Sequence, residues 1–227
     1  MTDASCVTAI PKSTSGKAPS QSLTWEEPAS RTVQFSLALV ALVFVLPLMI
    51  AIAIAIYMQD RGPVIFAHRR VGRNGKHFYC LKFRSMAQDA ERRLTELLAT
   101  DPAAREEWEE THKLRHDPRV TPLGDFLRKS SLDELPQLFN VMRGEMNLVG
   151  PRPIVDAEVA KYGRRFQHYA AVKPGITGLW QVSGRSDLTY RQRVAMDCLY
   201  TRKRGLGLDV WIMAATVPAV MLRHGSC

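Results

Sequence analysis

The sequence predicts an α+β protein, mostly helical, with a membrane helix near its N-terminus. Three observations carry that expectation. From Thr32 to Gln59 no residue is charged, a run long enough and apolar enough for a membrane helix. Gly72-Arg73-Asn74-Gly75 stands between two short strand-like segments, a β-hairpin signal. Much of the rest repeats its apolar residues at helical spacing. A chain of 227 residues allows one sizeable domain plus an anchor. The expected division is a tail over 1–30, a membrane helix over 31–60, and a domain at the cytoplasmic face over 61–227.

The formal charge is +9 and the sequence pI about 9.7, which calls for an anionic partner: nucleic acid, lipid headgroups or a phosphorylated substrate. Cys6, Cys80, Cys198 and Cys227 are dispersed without CxxC spacing, against a zinc site or a disulfide framework.

Residues 1–30, rich in Ser, Thr, Pro and Lys, read as a disordered, solvated tail. The apolar run that follows is too long for the h-region of a cleaved signal peptide. Pro47, in its middle, removes a backbone hydrogen bond and predicts a kink. Two geometries fit: a kinked span, or a helix that enters and returns to the same face. Seven Lys or Arg and no acid lie between Arg61 and Gln88, so the downstream chain belongs in the cytoplasm.

Val64–Ala67 and His77–Phe83 read as the hairpin strands. Lys82 and Arg84, alternating with Leu81 and Phe83, put two cations on one strand face and are candidates for an organised phosphate site. Arg69, Arg70 and Arg73 are equally well explained by contact with anionic lipid. Met86–Ala99 predicts an amphipathic helix with a stripe of Leu94, Leu97 and Leu98, broken by Asp101-Pro102. The acidic run Glu106–Glu110 reads as a solvated face. His112 and His116 have i, i+4 spacing but no third ligand, and are assigned no metal. Residues 157–170 predict a polar helix and 189–204 a basic one. The apolar stretch 206–222, interrupted by Pro218, belongs in the membrane interface or against the core.

The chemistry concentrates in Phe126–Pro153, FLRKSSLDELPQLFNVMRGEMNLVGPRP. Asp133 and Glu134 follow the cations Arg128 and Lys129, and Arg152 stands between two prolines. Acid beside base suits a carboxylate that acts on a phosphate ester, because nearby cations must hold the anion. The bland alternative is a core helix. Ser130-x-x-Asp133 and Ser131-x-x-Glu134 both fit a capping box, and Leu132, Leu135, Leu138, Phe139 and Met142 recur at helical spacing. On such a helix the two acids would point roughly 100° apart. Further on, Gly175, Gly178 and Gly184 predict a loop able to bring backbone N–H groups to an anion. Trp180 beside them serves a base, a sugar ring or the core.

Together GPVIFAHRRVGRNG, KFRSM, SLDELPQLFNVMRGEMNLVGPRP and KPGITGLWQVSGR resemble the bacterial sugar transferases, the monotopic phosphoglycosyl transferases of the undecaprenyl-phosphate pathway. The resemblance covers about Arg31 to Arg223 and is closest to short exopolysaccharide-initiating members. It departs at Gln34, where Asp is common, at Leu46, where some members have Ser, and at His68, where Gln is common. It implies a re-entrant N-terminal helix, interfacial helices and a small β-hairpin. It also implies transfer of sugar-1-phosphate from a UDP-sugar, with UDP-galactose and UDP-glucose the candidate donors, to undecaprenyl phosphate. Carried over by position, Asp133 would be the nucleophile and Glu134 would place Mg²⁺ or help deprotonate the acceptor, both acids serving as metal ligands. Arg152, with Lys82, Arg84 and Arg128, would hold phosphate oxygens, and Trp180 and Arg185 would contact substrate. Expected partners are the donor, the lipid acceptor and inner-membrane lipid at the cytoplasmic face, with a homodimer as the candidate assembly and no nucleic acid. The rival expectation is an anchored basic scaffold or nucleic-acid binder, though no nucleic-acid fold signature is present.

Overall fold

The computed structural model describes residues 26–111, 114, 116–184 and 187–221. The expected tail up to residue 25, together with Arg185 and His112, lies outside them. Helix α1, Glu26–Asp60, runs unbroken through Pro47. Its composition has no hydrophobic asymmetry to speak of, yet only one face is covered. Gln34, Ala38, Leu42, Val45, Met49, Ile52 and Ile56, spaced by three and four residues, form the buried stripe. The opposite face exposes Val40, Val43, Phe44, Ile50, Ile54 and Met58. An apolar surface this contiguous is stable only against lipid or protein.

Beneath α1 lie two cores. Its N-terminal half packs Ala38 among Phe78, Cys80, Leu138, Val141 and Met146. Its C-terminal half packs Met49, Ile52 and Ile56 against Phe83 and Leu127. Both ends are also tied by polar bonds. The Leu148 N–H donates to Gln34 Oε1 at 2.9 Å, and the Arg84 guanidinium pairs with the Asp60 carboxylate.

Strands β1 (Ile65–Val71) and β2 (His77–Phe83) form an antiparallel hairpin, in register from Ile65 opposite Phe83 to Val71 opposite His77. β1 thus runs four residues beyond the expected Ala67. The turn needs positive φ, supplied by Asn74 (59°) and Gly75 (72°). Asp101 does more than end a helix: its Oδ1 accepts from the N–H groups of Ala103 (2.9 Å) and Ala104 (3.1 Å). It therefore closes α2 (Ala90–Thr100) and opens α3 (Pro102–Thr111), so the acidic run is helical.

Helix α4 (Pro122–Lys129) and helix α5 (Gln137–Met142) flank the paired acids. A short strand β3 (Asn147–Val149) then pairs in parallel with β4 (Gly175–Thr177). Here the glycines act in packing. A Cβ on Gly150 would meet the Lys173 carbonyl at 2.6 Å, and one on Gly175 or Gly178 would overlap Gly150 itself. The expected open anion loop is thus a close backbone contact. The predicted helix 157–170 is split at Gly163 (φ 50°) into α6 (Asp156–Tyr162) and α7 (Phe166–Ala170). After α8 (Leu179–Ser183), the basic helix α9 (Tyr190–Lys203) begins at a Thr189–Gln192 capping box. Helix α10 (Leu206–Met221) packs one side against the core and leaves the other uncovered. Ile212 is fully buried, while Leu206, Val210, Trp211 and Val217 are exposed.

Candidate active site

The segment around the acids is not one helix. Thr121 caps α4, accepting from the Gly124 N–H at 2.9 Å, and the helix ends at Lys129. Ser130 Oγ donates back to the Phe126 carbonyl at 2.7 Å rather than capping forward. Ser131 then takes a left-handed conformation (φ 58°) with no capping bond from its side chain. Leu132–Glu134 follow as a single 3-10 turn, and Pro136 precedes α5. Neither capping box forms, so the acids are not there to end a helix.

The turn aims both acids at β2. Lys82 Nζ lies 2.7 Å from Glu134 Oε1 and 3.6 Å from Asp133 Oδ2, so one ammonium bridges two carboxylates that a regular helix would splay apart. Fully buried Asn140 fixes the strand's height. Its Oδ1 accepts from the Leu81 N–H at 3.0 Å, and its Nδ2 donates to the Tyr79 carbonyl at 2.8 Å and Glu145 Oε2 at 2.6 Å. Arg152 approaches from the other side, with Nη2 3.6 Å from Glu134 Oε1.

The two acids differ electrostatically. Burial pushes the Asp133 carboxyl up; Lys82, Arg128 and Arg152 oppose this and Glu134 reinforces it, leaving the group above the usual carboxylate range. Burial also works against the Glu134 anion, but Arg152 and Lys82 outweigh it and hold that carboxyl below its ordinary value. Neighbouring acids with opposite shifts are a signature of divided roles. Asp133 is the more basic oxygen, with a side chain 10% exposed, and Glu134 is the fixed anion. Glu134 faces a small cleft lined by Lys82, Arg152, Gln137 and Arg70.

Asp133, Glu134, Lys82 and Arg152 therefore stand together. Three expected residues stand elsewhere. Arg84 lies past the end of β2, committed to Asp60 at the foot of α1, and so supports the anchor rather than the cleft. Arg128 Nε donates to Ser85 Oγ at 2.8 Å and acts on Asp133 only through its charge. Trp180 is buried, with the Arg193 guanidinium 4.9 Å over its ring, so no face is left for a base or sugar. Conversely, Arg70, for which the sequence leaves lipid contact and a part in catalysis as equal expectations, lines the cleft. Nη1 donates to the Pro153 carbonyl at 3.2 Å and lies 3.9 Å from Glu158 Oε2. The Asn-Gly turn held the clue. Once its register is set, Phe66 stands opposite Lys82 and Arg70 opposite Phe78, which puts Lys82 and Arg70 on one face of the hairpin.

Among the described residues no cluster of three or more His, Cys, Asp or Glu side chains forms a metal cage. Mg²⁺ does not need one, since it commonly takes one or two carboxylates and completes its shell with phosphate oxygens and water. Asp133 and Glu134 supply that kind of donor, so the pair fits the ion.

A helix long and apolar enough to cross a membrane, together with a cationic cleft beside paired carboxylates, gives the chain features suited to a membrane surface and an anionic ligand. The model of the family described as bacterial sugar transferase matches residues 25–223, and the chain belongs to that family. It is 48% identical over 201 residues to a UDP-galactose-lipid carrier transferase of Erwinia amylovora, covering 87% of this chain and 42% of that one. It is 49% identical over 196 residues to an undecaprenyl-phosphate galactose phosphotransferase of Salmonella typhimurium, covering 86% and 41%. The exopolysaccharide production protein ExoY of Sinorhizobium fredii is 46% identical over 198 residues, and there the match spans 87% of this chain and 88% of the relative. The chain thus spans about two-fifths of the first two relatives and nearly the whole of the third.

Proposed function

We propose that the chain transfers hexose 1-phosphate from a UDP-sugar, with UDP-galactose the first candidate, to undecaprenyl phosphate, and so begins a glycan on its lipid carrier. The observation that carries this is the Asp133–Glu134 pair bridged by Lys82, with Glu134 and Lys82 lining a cleft edged by Arg152 and Arg70 and Asp133 buried beside them. Arg152 and Arg70 bind the donor diphosphate, with guanidinium geometry suited to paired phosphate oxygens. Asp133 attacks the sugar-linked phosphorus; a carboxylate–phosphorus bond forms, the bond to the bridging oxygen breaks, and UMP leaves with the electron pair. An oxygen of undecaprenyl phosphate then attacks the same phosphorus and frees the Asp133 carboxylate. Lys82 stays beside both acids and offsets their repulsion toward each incoming phosphate. Mg²⁺, held by Glu134 and Asp133, would supply charge neutralisation of the leaving phosphate.

The same reading has α1 dip into one leaflet rather than cross the bilayer. Gln34 and Asp60, 26 residues or about 39 Å apart along a helix, are both bonded to the polar domain. A helix spanning the membrane would carry that domain through hydrocarbon. A dip leaves the cleft at headgroup depth on the cytoplasmic face of the inner membrane, where the lipid phosphate lies.

The test is UMP release by the purified chain in lipid nanodiscs with UDP-galactose, undecaprenyl phosphate and Mg²⁺. Release that needs all three supports the assignment; release that ignores the lipid, or none with any UDP-hexose, refutes it. Mass spectrometry after incubation with donor alone should find a phosphohexose adduct on Asp133.

A further inference from the structure

We infer that His68 is a positioning residue: as a neutral imidazole it accepts the hydrogen bond that holds Arg70 in the cleft, and its protonation releases Arg70. The inference rests on the transferase assignment for its consequence in activity, but not for its geometry.

His68 and Arg70 are two residues apart on β1 and so share a face, with Arg70 Nη2 3.1 Å from His68 Nδ1. A guanidinium only donates. The contact is therefore a hydrogen bond only when Nδ1 is bare and the ring proton sits on Nε2. The other terminal nitrogen of Arg70 is held by the Pro153 carbonyl at 3.2 Å. His68 and Pro153 thus grip the two ends of one fork. The Pro153 contact ties it to the residue next to Arg152, so the two arginines keep a fixed spacing across the cleft. A bidentate ligand for phosphate oxygens depends on that spacing.

The groups around the imidazole make its charged form unwelcome. Burial, then the Arg70 guanidinium on its own strand, then the Lys82 ammonium on β2, all hold its pKa below the ordinary 6.5. Directly across the hairpin is the Cys80 thiol, buried and itself pushed up, hence neutral. The Phe66 ring flanks the other side, 5.7 Å between centroids. A proton on Nδ1 would set one N–H against another between two cations. Arg70 must then turn away, with Glu158 at 3.9 Å its nearest alternative partner.

Steady-state kinetics of wild type, His68→Gln and His68→Phe, in one nanodisc composition across about pH 4.5 to about 8.5, read this out. Glutamine offers an acceptor at every pH and phenylalanine offers none. Titration of the phosphates is common to all three, so ratios between variants cancel it. For the donor, the wild-type KM should climb by about threefold or more relative to His68→Gln as the pH falls below 6.5, while the kcat ratio stays level. His68→Phe should show the raised KM across the whole range. Parallel KM profiles for wild type and His68→Gln would overturn the proposal. A second measurement needs neither turnover nor variants: ¹⁵N NMR of histidine-labelled wild type at about pH 8 should find the His68 Nδ1 unprotonated, and a proton there sinks the idea. Absence of wild-type turnover at every pH would instead refute the transferase assignment and leave the NMR result to decide on His68.

Discussion

At the scale of single residues, Lys82 holds the balance of the site, since one ammonium serves two largely buried carboxylates. Lys82→Met should cost about 3 kcal/mol of stability at pH 8, the penalty for stranding buried charge. The loss should shrink in acid as the carboxylates protonate; denaturant unfolding at several pH values checks both points. Asp133→Asn should lower turnover at least about a thousandfold, as loss of a nucleophile does, while membrane association stays unchanged. Near-normal turnover would move the nucleophile elsewhere. Asp197, away from the cleft, controls stability instead. Burial raises its carboxyl from 3.8 to about 7, against the hydrogen bond it accepts from the Tyr162 hydroxyl at 2.7 Å. Folding therefore favours the protonated form. Its contribution is fully present at low pH and lost as the pH rises toward 7. Asp197→Asn should gain on the wild type between about pH 4 and pH 8, with a ceiling of about 4 kcal/mol. Unfolding curves that differ equally at both ends would contradict this.

At the scale of elements, α1 meets α5 and β2 through a residue with no room to grow. Ala38 is fully buried against Phe78, Leu138 and Val141. Ala38→Phe should cost about 1–3 kcal/mol by overpacking. It should also raise hydrogen exchange in α5 while sparing α9; uniform protection would show that the contact is dispensable. The hairpin and the break between α2 and α3 could be read from the sequence because each depends on local chemistry: an Asn-Gly turn and an Asp-Pro junction. The turn that carries Asp133 and Glu134 could not. Leu132, Leu135, Leu138 and Phe139 keep helical spacing, and nothing in that spacing announces the left-handed Ser131 that folds the acids over Lys82. The roles of Trp180, Arg84 and Arg70 were hidden for another reason. Each is decided by a partner far away in the chain or on another strand, namely Arg193, Asp60 and the hairpin register.

At the scale of the whole molecule, the proposed dip of α1 makes a topological statement. In a cysteine-free background, single cysteines at Val33 and Gln59, both exposed, should be modified from the cytoplasmic side only. Modification of the Val33 position from the periplasmic side would establish a crossing helix. The covered stripe of α1 has a practical outcome for anyone wanting a water-soluble fragment. Cutting the chain after Asp60 would not peel an anchor from a finished globule. It would bare the Phe78–Leu138–Val141 and Phe83–Leu127 surfaces together, so such a truncation should clump or be degraded rather than survive as a smaller enzyme.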